Sequence, residues 1–147
     1  MPPKPRKFID TDRYKRLVEL SNDLIWSMDA GGRFTFVNDA AARRIYGYTA
    51  EEMVGRRFTD FSTSEQGRRD EEAFAAVVRG ERLTGYRTVH LRPDSTPIHL
   101  NVNAVAELSP SGEVIGATGT ATDVSGIVRY AAELERSEER YRLLFEN

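Results

Sequence analysis

The order of strand-type and helix-type hydrophobic periods constrains the fold of this chain more than any other feature of the sequence. Two short β-prone runs, residues 24–28 and 33–37, come first and are joined by a turn that ends in Gly31-Gly32. Helical spacing then holds from Asn38 to Gly80, and three runs between residues 86 and 124 are predicted as strands, mostly with a period of two. Hairpins at both ends make the sheet antiparallel, with the short helices on one face. The sequence therefore predicts an α+β domain.

Segments of different character flank this domain. Residues 1–9 are predicted to be a disordered tail, because three prolines fall in the first five residues and nothing there can form a core. Residues 10–22 form a short amphipathic flanking helix, and residues 23–125 form the domain itself. Residues 126–147 are predicted to be a charged helix that continues towards a further domain.

Composition excludes several classes of protein. The chain has 147 residues, a net charge of -2 and no cysteine, which excludes disulfide scaffolds, thiolate metal sites and cysteine nucleophiles. No apolar run reaches the length of a membrane span, and the near-neutral charge gives no general attraction to nucleic acid or anionic lipid. We expect a cytoplasmic protein, since the start of the chain lacks an apolar signal region.

Several short motifs resemble those of the PAS sensor family over residues 12–125. They are residues 29–34 (Asp-Ala-Gly-Gly-Arg-Phe), 36–40 (Phe-Val-Asn-Asp-Ala), 46–55 (Tyr-Gly-Tyr-Thr-Ala-Glu-Glu-Met-Val-Gly) and 119–125 (Gly-Thr-Ala-Thr-Asp-Val-Ser). The last resembles the family's Asp-x-Thr/Ser ending before a signalling helix, which implies a transmission role for Asp123 and Ser125. The resemblance implies a five-stranded antiparallel sheet that cradles helices around a small pocket, with a sensing or dimerisation role and no catalysis.

The resemblance also bears on a pocket and its cofactor. The family's light-sensing branch needs a cysteine for its flavin adduct, and its flavin-holding amides correspond here to Leu100 and Ala121, which cannot make those hydrogen bonds. The haem-sensing branch uses a histidine on the central helix, and none lies between Ser62 and Gly80. Haem and cysteinyl flavin are therefore disfavoured, and a pocket for an unknown small ligand would be lined by Tyr46, Phe58, Phe74, Leu100, Val102 and Ala121. The alternative is that aromatic side chains fill this space as core.

The two histidines are predicted to lie opposite each other. If Asp94-Ser95 is a two-residue turn, His90 pairs with His99. Two ligands are too few for a structural zinc site, so no metal site is predicted. The preferred interpretation is a polar pair on the outer face of the sheet, with a metal-binding or pH-sensing pair as the alternative.

The terminal helix indicates a parallel homodimer. Ile127, Leu134 and Tyr141 recur every seven residues, and Tyr130, Ser137 and Leu144 form the second seam. The alternative is a solvated helix that lies on its own domain. The remaining residues predicted for the dimer interface are Tyr14, Leu17, Val18 and Trp26, with a plain core role as the alternative for Trp26.

The end of the chain echoes its beginning. Residues 13–19 carry Arg-Tyr-x-x-Leu-Val-Glu, and residues 140–146 carry Arg-Tyr-x-x-Leu-Phe-Glu, which suggests a tandem PAS array. We expect a non-catalytic input module of a sensor histidine kinase that signals through its C-terminal helix. An input module of a cyclic-dinucleotide synthase or hydrolase and a ligand-free homodimerisation spacer are the alternatives. No catalytic constellation favours an autonomous enzyme.

Overall fold

A computed structural model of the protein describes residues 10–145. The helices are α1 (Thr11–Leu20), α2 (Asp39–Ile45), α3 (Ala50–Met53), α4 (Ser64–Val78) and α5 (Ser125–Phe145), and a 3-10 turn spans Phe58–Phe61. The strands are β1 (Leu24–Asp29), β2 (Phe34–Val37), β3 (Leu83–Leu91), β4 (Pro97–Leu108) and β5 (Val114–Asp123). The predicted order of elements is confirmed, whereas the predicted disordered tail, residues 1–9, lies outside the described residues.

The strands form one antiparallel sheet in the order β2-β1-β5-β4-β3. The first strand, β1, lies between β2 and β5, so the last strand enters the middle of the sheet. This architecture confirms the predicted α+β class with five antiparallel strands.

The core lies between one face of this sheet and the helices α2 to α4. Alternate residues of β4 point inward, and Ile98, Leu100 and Ala104 are buried there as predicted. Ala117 and Ala121 of β5 face the same layer. The flanking helices α1 and α5 bury no residue, so their apolar stripes lie outside the domain core.

Helix caps are only partly where the sequence places them. The sequence Thr49-Ala50-Glu51-Glu52 has the spacing of a capping box, and α3 forms it, with Thr49 and Glu52 each accepting from the other's backbone N–H at 3.1 Å. Ser62 and Glu65 have the same spacing, but the cap of α4 is Thr63, whose hydroxyl accepts from the Gln66 N–H. Asn38 occupies the N-cap position of α2, but its side chain makes no cap bond.

The amide of Asn38 instead joins three segments. Its Oδ1 accepts from the Ile25 N–H at 2.8 Å, and its Nδ2 donates to the carbonyls of Val18 and Asp23. Asn38 is 2% exposed, and buried polar groups are almost always hydrogen-bonded. Its partners are distant in the sequence, so a local sequence pattern does not reveal them. Asn38 thereby ties the end of α1 to β1 and α2.

The β3–β4 hairpin corrects the predicted histidine pair. Arg92 and Thr96 close the loop through an N–H to carbonyl bond of 3.0 Å, which leaves three loop residues instead of two. The loop consists of Pro93, Asp94 and Ser95, and Ser95 has a left-handed φ of 68°, which is typical of a three-residue hairpin loop. The register shifts by one, so His90 pairs with Ile98 and His99 pairs with Val89. Consecutive positions alternate between faces, so His90 lies on the inner face and His99 on the outer face.

Within residues 10–145, no helix is both long and apolar enough to cross a bilayer.

Candidate functional site

A small cavity of about 70 Å³ lies between the inner face of the sheet and α4. Tyr46, Phe58, Phe74, Val102 and Ala121, all predicted as pocket residues, contribute to its wall. Leu100, the sixth predicted residue, is fully buried in the core but does not line the cavity. The ring centroids of Phe58 and Phe74 are 5.2 Å apart, so these two aromatic side chains pack against each other. They do not fill the cavity.

A buried carboxylate stands at one end of this cavity. Asp70 of α4 is 6% exposed, and its Oδ1 accepts from the Tyr86 hydroxyl at 2.7 Å and from the Gln66 amide at 3.0 Å. The Thr88 hydroxyl donates to both carboxylate oxygens, at 2.8 and 2.9 Å. Nε2 of His90 lies 3.1 Å from Oδ2. Every lone-pair direction of this carboxylate therefore faces a donor, which is how a charge is kept in a protein interior.

The network continues through His90 to Tyr46. The Tyr46 hydroxyl, itself fully buried, lies 2.7 Å from Nδ1 of His90. An ionised carboxylate can only accept, so Nε2 of His90 carries a proton and donates it to Asp70. In the neutral ring Nδ1 then accepts from the Tyr46 hydroxyl. This chain of bonds connects α4, β3 and the end of α2, and we name it the Asp70 network: Gln66, Asp70, Tyr86, Thr88, His90 and Tyr46.

The ionisation of these groups follows from their surroundings. Burial raises the pKa of Asp70, but hydrogen bonds from His90, Tyr86 and Gln66 outweigh it and hold the pKa of Asp70 below its ordinary value. Burial and the neighbouring Asp70 charge raise the pKa of Tyr46, and burial followed by its bond to Asp70 raises that of Tyr86. Both phenols therefore stay protonated at neutral pH and act as donors.

Sequence reasoning missed most of this network. The charged run of residues 68–72 predicts that Asp70 lies on the polar surface of α4, and the expected hairpin predicts that His90 lies on the outer face of the sheet. Both predictions are wrong, since both residues are buried. A usable signal was present, because Asp70 shares a helical face with the apolar Phe74 and Val77. Tyr86, Thr88 and His90 likewise alternate along β3, which placed them on one face together.

The junction of β5 and α5 contains the two predicted transmission residues. Oδ1 of Asp123 accepts from the Ser125 N–H at 2.9 Å, and the Ser125 hydroxyl accepts from the His99 N–H at 3.0 Å. Oδ2 of Asp123 lies 3.7 Å from Nη2 of Arg92, which follows β3. Arg92 in turn donates through Nε to the carbonyl of Ile45, the last residue of α2. A single guanidinium therefore contacts both the end of α2 and the base of α5.

The residues predicted for a dimer interface do not share one environment. Trp26 is 5% exposed and lines the cavity, so its assignment to an interface is wrong and its core role applies. A Cβ at Gly119 would lie 2.8 Å from the Trp26 ring, so the glycine makes room for this indole. The other predicted interface residues are exposed or half-buried: Tyr14, Leu17, Val18, Ile127, Tyr130, Leu134 and Tyr141.

The positions that correspond to the flavin-holding amides and to the haem-binding helix carry other side chains. Leu100 and Ala121 both lie on the inner layer, and neither side chain can hydrogen-bond a flavin ring. No histidine occurs on α4, so this helix supplies no haem ligand. Among residues 10–145 no three histidine, aspartate or glutamate side chains cluster as metal ligands would.

A family model described as the PAS fold matches residues 18–129. The chain therefore belongs to the PAS family, as its motifs suggest. Among solved structures, the PAS domain of a Colwellia psychrerythraea protein superposes with a TM-score of 0.70 at 18% identity, over 79% of this chain and 98% of that one. A domain of a sensory box sensor histidine kinase/response regulator from Geobacter sulfurreducens superposes with a TM-score of 0.64 at 26% identity, over 77% and 93% of the two chains.

Two curated proteins are similar in sequence. One is the methanogenesis regulatory histidine kinase FilI of Methanothrix harundinacea, 30% identical over 122 residues. The other is sporulation kinase A of Bacillus subtilis, 26% identical over 140 residues. The matches cover 83% and 93% of this chain but only 14% and 22% of the kinases. The chain is thus similar to one region of each kinase.

Proposed function

We propose that this chain is a non-catalytic input module of a cytoplasmic sensor histidine kinase, and that the state of its cavity reaches the output domain through α5. Both curated relatives are kinases, which supports this choice of output. The observation that carries the transmission step is the position of Arg92, in contact with the end of α2 and with Asp123.

The route begins at the cavity wall. Tyr46 lines the cavity and follows Ile45 directly, so a change in cavity contents displaces the end of α2. The carbonyl of Ile45 accepts from Arg92, and this displacement would be passed to Asp123 and to the first turn of α5. Rotation or register shift of a helix is a usual way for such a small displacement to reach a distant domain.

In a homodimer, α5 would move against the α5 helix of a second copy. The seam residues Ile127, Tyr130, Leu134 and Tyr141 are between 48% and 68% exposed, so a second α5 could cover them. Residues 140–145 also repeat the start of the chain, and a downstream PAS or output domain of the same polypeptide would continue from there.

The module works without haem or cysteinyl flavin in this proposal, which is supported by the lack of cysteine, the apolar Leu100 and Ala121, and the lack of a histidine on α4. A ligand-free homodimerisation spacer is the second candidate function. One observation favours it, because the Asp70 network satisfies its own polar groups without a ligand. An output domain that makes or hydrolyses a cyclic dinucleotide could use the same α5 connection.

A chimeric kinase separates these functions. The matched region of sporulation kinase A from Bacillus subtilis is replaced by residues 1–147, and autophosphorylation is measured. We expect Arg92→Gln and Asp123→Asn to change autophosphorylation in the same direction, with a double variant no more affected than either single variant, because both act on one contact. Arg79→Gln is the matched control, since Arg79 is exposed and faces only Glu81.

The outcomes distinguish transmission from a passive spacer. Autophosphorylation that responds to Arg92→Gln and Asp123→Asn but not to Arg79→Gln supports the proposed route. If the chimera is active and all three variants have the same autophosphorylation as the unmodified chimera, the chain is a spacer. A chimera as inactive as the kinase lacking this region contradicts the proposed kinase input.

A further inference from the structure

The wall of the cavity is almost entirely carbon. Its sheet side is formed by residues such as Leu24, Val102 and Ala121, and its helix side by Phe74 and Val77. Apart from the indole of Trp26, the polar side chains that reach the cavity belong to the Asp70 network, which lies at the β3 end of the cavity. A ligand inside would therefore contact chiefly apolar side chains.

The polar end offers a ligand no free carboxylate oxygen. The Asp70 carboxylate already accepts from four side chains, and the ring nitrogens of His90 are both engaged. Within residues 10–145 no buried side-chain nitrogen or oxygen lacks a partner. A polar ligand would leave its hydration shell without gaining an equivalent partner, and that loss is costly in an apolar interior.

The volume sets the second limit. A cavity of about 70 Å³ is roughly half the size of the engineered apolar cavity of about 150 Å³ that stays dry and binds benzene or xenon. Pockets for drug-sized molecules are several times larger, at about 300–1,000 Å³. The space therefore suits a molecule of only a few heavy atoms.

We propose that this cavity is a binding site for a small, uncharged apolar molecule. The proposal deepens the proposed function, because it names the class of ligand that the input module would take. Recognition rests on shape and dispersion contact with the carbon wall, and the Asp70 network acts as a closed polar end that repels charged and strongly hydrated molecules.

Xenon is the probe for this proposal. The full chain is titrated with xenon under pressure, and methyl signals are followed by NMR. We expect saturable shifts at Leu24, Val77 and Val102, which line the cavity, and none at Leu134 and Leu144, which are exposed on α5. Acetamide, a small polar molecule, is titrated as the counterpart and should leave the lining methyls unshifted.

Two variants locate the binding. Ala121→Leu places a larger side chain in the cavity and should weaken the xenon response by about tenfold or more, equivalent to about 1.4 kcal/mol. Thr120→Val alters the adjacent, outward-facing residue of the same strand and should leave the response unchanged. Ala104→Val serves the same purpose if Ala121→Leu does not fold, as judged by circular dichroism.

The proposal is overturned if xenon shifts none of the lining methyls, if the filled variants respond as the parent chain does, or if acetamide shifts the same methyls saturably. These measurements use binding alone. A failure here leaves the kinase chimera to decide the proposed function, and insensitivity of the chimera leaves the binding result standing.

Discussion

At the scale of single residues, the chemistry of the domain centres on Asp70. The aromatic pocket residues could be read from the sequence, because apolar side chains at helical or strand spacing face the core. The buried carboxylate was harder to predict, since aspartate on a helix is usually solvated and only its shared face with Phe74 and Val77 pointed inward. Its burial depends on donors from β3, and His90 reaches it only because the hairpin register differs by one from the expected register.

Removing the charge of Asp70 should destabilise the fold. We expect Asp70→Asn to lower the free energy of unfolding by about 2–4 kcal/mol, because the new amide turns an NH₂ towards groups that donate. Glu72→Gln, an exposed change on the same helix, should alter it by less than about 0.5 kcal/mol. Urea unfolding at neutral pH measures both, and equal effects would show that the Asp70 network contributes no more than a surface charge.

The same carboxylate predicts a pH dependence. The pKa of Asp70 is lower in the folded chain than its ordinary value of 3.8, so the unfolded chain binds this proton first. The resulting stability is fully present above that ordinary value and is lost as the pH falls through the folded pKa. We expect the unfolding free energy of the parent chain to drop more steeply below about pH 4 than that of Asp70→Asn. Parallel pH profiles of the two proteins would contradict this assignment.

At the scale of elements, the sequence predicts the order of helices and strands and the fold class, but not the register between β3 and β4. The hydrophobic period and the turn residues identified all five strands, and the α3 capping box formed as its spacing indicates. The predicted β3–β4 register was wrong because the loop has three residues, with a left-handed residue in its last position. That residue is a serine, where glycine or asparagine would have signalled the conformation.

The left-handed backbone at Ser95 makes a direct test of this loop. We expect Ser95→Gly to raise the free energy of unfolding by about 0.5 kcal/mol and Ser95→Val to lower it by about 1 kcal/mol, since a β-branched residue resists positive φ. Thermal unfolding gives the ranking. If the valine variant is more stable than the glycine variant, the left-handed backbone conformation at Ser95 is contradicted.

At the scale of the whole molecule, the two flanking helices contribute no buried residue to the domain core. Their apolar stripes could be read from the sequence, but only the structure shows that neither helix folds back onto the domain's own core. Trp26 is predicted as an interface residue with a core role as the alternative, because tryptophan is buried in both settings. Its burial depends on Gly119 in the neighbouring strand, a packing detail that no local pattern contains.

The exposed seam of α5 predicts an association that one charge should weaken. We expect the chain to dimerise in parallel and Leu134→Glu to shift it towards monomer, with the fold of the domain intact, because a carboxylate in an apolar seam must be desolvated. Glu135→Gln, on the adjacent position, should leave the dimer unchanged. Sedimentation equilibrium measures both, and a monomeric parent chain at high concentration would contradict the seam.

If the contents of the cavity set the output through α5, autophosphorylation of the kinase chimera should respond to Ala121→Leu. This variant fills the cavity with a side chain of the protein itself. We expect Ala121→Leu to change autophosphorylation, Thr120→Val to leave it unchanged, and Arg92→Gln to remove the change. Equal autophosphorylation of the Ala121→Leu and Thr120→Val chimeras, with both proteins folded, would contradict this route from the cavity to the output.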